Sequence, residues 1–269
     1  MRLLVSVISA EEARRALAGG ADIIDVKDPG EGALGAPSPR ILSEVVQEIG
    51  AAAPVSVALG DLPNLPHTAA LAARGAALSG ADYVKVGLRG VRELEAAVAL
   101  MRAVADAVQP NTAVIAAAYG DADALDPPAL APRWLPELVD RAGVSGALVD
   151  TFVKDGRGLY GWLSDSELSD LIARTHRAGA SFAVAGQLTL DQLRRAPADV
   201  VGVRSAVCRG GDRAADLDAE LVAAAVAELR AGSGRVGSHR GMIRVPTGRV
   251  EPGLRTTTAT PVRRTASGR

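Results

Sequence analysis

Lysine is almost missing from this chain of 269 residues: 30 side chains are basic, and only Lys27, Lys85 and Lys154 are lysines. Cysteine is rarer still. Cys208 stands alone, so no intramolecular disulfide can form, and a reducing, cytoplasmic setting is expected, with the thiol a passive small side chain. No uncharged apolar run approaches the roughly 18 residues that cross a bilayer, so no membrane is expected. The first apolar run ends after Ala10 at Glu11 and Glu12, which argues against a signal peptide. Aromatics are only 3% of residues, and the formal net charge of −1 gives no reason to expect nucleic acid. Metal-ligand spacing of the H-x-x-H or C-x-x-C kind does not occur; His67 is expected in a loop, His176 in a helix and His239 in the tail, so neither metal nor cofactor is expected.

What the chain has in quantity is Ala, Val and Leu, and its 48% hydrophobic fraction suits many short apolar strands and Ala-rich helices. Short β-branched runs alternate with amphipathic stretches, the pattern of successive βα units. Strands are predicted at 3–7, 22–27, 54–59, 83–88, 112–118, 146–151, 181–185 and 200–204. Several, such as IIDV and VSVAL, are apolar almost throughout, as parallel strands buried on both faces are. Ser9 and Asp165 are expected N-caps, and Gly19, Gly50, Gly80, Gly143 and Gly179 sit near helix ends. Eight such units in about 230 residues predict a single-domain (β/α)₈ TIM barrel over residues 1–231. An open dinucleotide-binding sheet fits less well, since no G-x-G-x-x-G follows the first strand. Residues 232–269 lose all periodicity and carry eight arginines against the one acid Glu251, which reads as a disordered basic tail.

The three lysines fall at the end of the second predicted strand, within the fourth and after the sixth. In a barrel those ends share one catalytic mouth. Arginine stays protonated, whereas a lysine amine deprotonates when buried or crowded by cations and then attacks carbonyls. Asp25 lies two residues before Lys27 on one strand face, and Asp150 lies four before Lys154, so each amine has a candidate acid partner. The loops after the seventh and eighth strands carry Gly186, Gly202, Ser205, Gly210 and Gly211, with Arg204 and Arg209 nearby, where barrels bind phosphate. The Gly-rich loop DPGEGALGAP suits a lid or a second anion contact. Asp61, Tyr119 and Asp121 are second-tier pocket candidates.

The blocks LLVSVISAEEARRALAGGADIIDVKDPGEGALGAP, GADYVKVGL, GALVDTFVKDGRGL and VVGVRSAVCRGGDR, spanning roughly residues 1–231, resemble the (5-formylfuran-3-yl)methyl phosphate synthase family. The resemblance implies a TIM barrel that condenses two glyceraldehyde 3-phosphate molecules into 4-(hydroxymethyl)-2-furancarboxaldehyde phosphate, losing phosphate and water, without a cofactor. It implies Lys27 as the Schiff-base residue and Asp25 as its acid/base partner. Lys85 and Lys154 would bind the second substrate or a phosphate, or assist imine exchange, and Asp150 would move protons during elimination of phosphate and water. A homo-oligomer is expected by the same analogy; the Arg-rich tail is not part of the family pattern. Two other readings are a class I aldolase or transaldolase-like enzyme on a phosphosugar, and a barrel that binds without catalysing.

Overall fold

The computed structural model describes residues 1–233, so nearly all of the expected tail, with His239, lies outside the described residues. Eight parallel strands close on themselves: β1 (Arg2–Val7), β2 (Ile23–Val26), β3 (Val55–Asp61), β4 (Tyr83–Gly87), β5 (Ala113–Tyr119), β6 (Gly146–Asp150), β7 (Ser181–Val184) and β8 (Val200–Val203). Strand β1 pairs with both β2 and β8, which makes the sheet a closed barrel. Each strand lies within two residues of its predicted bounds, because the apolar runs that mark them are buried on both faces.

The helices α1 (Ala10–Ala18), α2 (Pro39–Ile49), α3 (Pro66–Leu78), α4 (Leu94–Ala107), α5 (Leu135–Ala142), α6 (Asp165–Arg177), α7 (Leu190–Leu193) and α8 (Ala219–Ser233) surround it. Ser9 caps α1 by accepting the Glu12 N–H at 3.2 Å. The cap of α6 is Ser164 rather than Asp165: Ser164 is extended and forms a capping box with Glu167, leaving Asp165 as a first-turn acid that favours the positive helix end. Helix α7 is a single turn that packs against α8, and α8 also meets α1 and β1. Helix α8 runs to Ser233, two residues past the expected end of the barrel. It continues through Gly232 because the Arg194 backbone packs so close that a Cβ there would lie 2.5 Å from the Arg194 carbonyl oxygen. His67 falls in the first turn of α3, not in a loop.

Two apolar layers result from strand alternation. The outward set, including Leu3, Val5, Val57, Val84, Val86, Val149 and Phe182, packs against the helices. The inward set is smaller and is capped by Ala33 and Leu34 from the loop after β2. That loop is therefore a packed cover over the barrel interior. Gly35 lets it close, since a Cβ there would meet the Asp28 carbonyl oxygen at 2.1 Å. Among the described residues no helix is long and apolar enough to cross a membrane.

Candidate active site

All three lysines reach one cleft at the C-terminal ends of the strands, together with Asp25 and Asp150. The cleft has a cavity volume of about 80 Å³. Asp25 and Lys85 come from inward positions of β2 and β4, Lys27 follows β2 directly, and Lys154 returns over the mouth four residues after Asp150 ends β6.

The amines have different partners. Lys85 Nζ lies 2.6 Å from Asp25 Oδ1, both nearly inaccessible to solvent, while Ser6 Oγ donates to Asp25 Oδ2 at 3.0 Å. Lys154 Nζ donates to Asp150 Oδ1 at 2.8 Å and to the Thr151 carbonyl at 2.5 Å. Among the described residues Lys27 Nζ bonds no carboxylate and donates only to the Ala33 carbonyl, at 3.3 Å. Burial lowers its pKa from 10.5 to about 8; Asp150 and Asp25 pull upward, and Lys85 and Lys154 push further down. Burial pushes the Asp150 carboxyl upward, but the Lys154 and Lys27 charges and hydrogen bonds outweigh it and hold it below the usual range. The cleft thus holds one amine poised to lose its proton and two amines paired with carboxylates. Asp25 is accordingly not the hydrogen-bonded partner of Lys27; it is bound to Lys85 and acts on Lys27 through its field.

The expected phosphate residues divide. Gly186, Gly202, Arg204 and Ser205 line the cleft. Gly210 and Gly211 do not; they form an exposed turn with φ of 65° and 75°, which glycine adopts without strain. Arg204 is 7% exposed, and its charge is taken by Glu12 of α1 at 2.7 Å, with further bonds to the Ser6 and Arg213 carbonyls. Arg209 faces Asp218 at 3.5 Å. The cation left for an anion is Arg213, which lines the cleft and makes no ion pair among the described residues. Arg204 Nε holds its backbone carbonyl at 2.8 Å. A Gly-Gly-Asp-Arg run gives no sign of this, because nothing local ties it to the barrel.

Ser6, Ser56 and Gln187 also line the cleft and are not singled out by spacing, although Ser6 and Ser56 are lone hydroxyls within Val-Ser-Val strand triplets. The second-tier residues have other work. Tyr119 donates to Asp61 at 2.9 Å, and Asp121 accepts the Phe152 and Val153 N–H groups at 2.8 and 2.7 Å, shaping the loop that carries Lys154. Cys208 is buried, which pushes its thiol pKa up and fits a passive role.

A closed parallel barrel with a lysine- and carboxylate-lined cleft at its strand ends is the architecture of a barrel enzyme. Residues 3–226 match the family model described as 4-HFC-P synthase, and the chain belongs to that family. The protein from Methanosarcina mazei named (5-formylfuran-3-yl)methyl phosphate synthase is 41% identical over 237 residues, covering 86% of this chain and 100% of that one. Its namesake from Methanocaldococcus jannaschii is 44% identical over 229 residues, covering 82% and 97%. Among solved structures, phosphoribosyl anthranilate isomerase from Thermotoga maritima shares the fold at a TM-score of 0.60 and 16% identity, covering 86% of this chain and 99% of that one. Orotidine 5'-phosphate decarboxylase from Pyrococcus horikoshii does so at 0.58 and 19%, covering 85% and 99%.

Proposed function

We propose that this chain is a lyase-type synthase that condenses two molecules of glyceraldehyde 3-phosphate into 4-(hydroxymethyl)-2-furancarboxaldehyde phosphate through a Schiff base on Lys27. The balance is two triose phosphates to one furan phosphate, one inorganic phosphate and two waters. The observation that carries the reading is the buried Lys27 amine, which has no carboxylate partner among the described residues and lies beside two amines that have one; burial lowers its pKa to about 8. The names of the relatives support the product assignment.

In this reading the Lys27 amine attacks an aldehyde carbon and water leaves. Asp25 and Asp150 take and return the protons needed for imine formation, enamine formation and loss of phosphate. Lys85 and Lys154 neutralise the second substrate and the departing phosphate. Gly186 and Ser205, in the segments after β7 and β8, and Gly202 within β8 supply the phosphate-binding surface, with Arg213 as a cation unpaired among the described residues and Arg204 bracing it. Incubation of the purified chain with glyceraldehyde 3-phosphate is expected to yield furan absorbance and one phosphate per furan; neither product appearing refutes the assignment.

Imine formation needs the neutral amine. With a folded pKa of about 8, roughly a tenth of Lys27 is neutral at pH 7 and half at pH 8, so the trapping rate rises toward a plateau above pH 8 to 9. Borohydride trapping rates from pH 6 to 10 check this; a rise that begins only near pH 10 contradicts it.

Arg213→Ala is expected to raise KM for glyceraldehyde 3-phosphate by about 10- to 100-fold, the scale of a lost charge-assisted phosphate contact, with kcat changed far less. Steady-state kinetics with phosphate release decide it, and an unchanged KM removes Arg213 from the site.

A further inference from the structure

Ser56 is the second residue of β3, is 1% exposed, and its Oγ has no hydrogen-bond partner among the described residues. A buried hydroxyl left unpaired destabilises a fold, so its presence calls for a cause. It lines the cleft, where Ile23, Tyr83, Ile115 and Leu148 make the adjoining surface largely apolar. Its strand neighbour in register is Asp25, whose other neighbour is Ser6. Across this row Ser6 Oγ bonds Asp25 Oδ2, and Asp25 Oδ1 is ion-paired with Lys85 Nζ but, among the described residues, accepts no hydrogen bond. Ser56 alone presents an unused hydroxyl beside the carboxylate.

We propose that Ser56 Oγ binds the secondary hydroxyl of a phosphorylated three-carbon substrate and makes the site selective for it. The proposal rests on the reading of this cleft as a triose phosphate site. A serine hydroxyl both donates and accepts, which matches a substrate hydroxyl. A phosphate is disfavoured there by the adjacent Asp25 charge and is drawn instead toward Arg213 and Ser205. Holding the secondary hydroxyl orients the carbon next to the imine, the one that must surrender a proton. A polar pocket completed only by a ligand hydroxyl rejects the analogue lacking it, because the protein group is then left unpaired.

The test compares two inert ligands by calorimetry on the full chain: glycerol 3-phosphate, and propane-1,3-diol monophosphate, which lacks only the secondary hydroxyl. The wild type is expected to prefer the first by on the order of tenfold or more. Ser56→Ala is expected to bind both about equally, near the wild-type affinity for the deoxy ligand, with Tm unchanged or raised because an unpaired buried hydroxyl is gone. A preference retained in Ser56→Ala, no preference or no binding in the wild type, or an equal loss for both ligands each overturns the proposal. Neither ligand has an aldehyde, so the outcome is separate from imine chemistry. Borohydride treatment of the wild type with glyceraldehyde 3-phosphate runs alongside, and a missing lysine adduct there counts against the Schiff base alone.

Discussion

Lys27→Met is expected to lower furan formation from glyceraldehyde 3-phosphate by at least about a thousandfold and to abolish the borohydride-trapped adduct, because the covalent route loses its nucleophile. Methionine keeps the length and apolar bulk of the lysine stem and removes an ammonium that burial disfavours. Between about pH 8 and 10.5 the folded state carries fewer protons at Lys27 than the unfolded state, so stability rises with pH across that window. Below pH 8 both states hold the proton and burial of the charge costs about 3 kcal/mol, from 2.5 pKa units at 1.36 kcal/mol each. The methionine variant should therefore be at least as stable as the wild type at pH 7 by urea unfolding. In Lys85→Met and Lys154→Met, mass spectrometry should still find the adduct on Lys27. An adduct that persists on another lysine in Lys27→Met, with activity, would move the nucleophile to that residue.

Asp150→Asn carries the second large effect. The amide matches the carboxylate in shape but leaves the Lys154 and Lys27 amines facing a neutral group in a buried site. Furan formation should fall about 10²- to 10⁴-fold, the usual contribution of a positioned acid or base. Trapping of the first imine should fall much less, which separates proton transfer from nucleophilic attack. Stability should drop by about 3 kcal/mol, the low end for a broken buried pair, because Lys154 keeps some exposure to water. Burial raises the Asp150 pKa, but Lys154 and Lys27 bring the folded value below its ordinary 3.8, so the carboxylate's contribution is complete above about pH 4. That contribution is lost as pH falls further through the folded value. The gap between wild type and variant in urea midpoint should hence narrow at pH 3 relative to pH 7. Furan rates within threefold of wild type would exclude Asp150 from the proton transfers.

Much of this barrel is legible in the chain because burial on both strand faces imposes apolar runs, and the helices between them need an apolar stripe and caps. The convergence of the three lysines follows from the same reading, since residues at the C-terminal ends of parallel strands in a closed barrel share one mouth. The spacing of Asp150 and Lys154 pairs them only on a continuing strand face; the contact forms instead because the chain turns just after β6 and brings residues four apart together.

Spacing along a strand could not decide the partner of Asp25. Residues two apart on one face are about 6.6 Å apart at 3.3 Å per residue, within reach of a lysine side chain, so spacing alone allows Asp25 to pair with Lys27. Closure brings Lys85 of β4 across the interior to Asp25 instead. The fate of Arg204 was hidden for the same reason: Glu12, which neutralises it, is 192 residues away in the chain. The sequence by itself determined the barrel and gathered the three amines at its mouth. Only the closed tertiary structure decided that Lys85 and Lys154 are paired and Lys27 is left able to lose its proton, because charge partners are chosen by distance through space and pKa by burial.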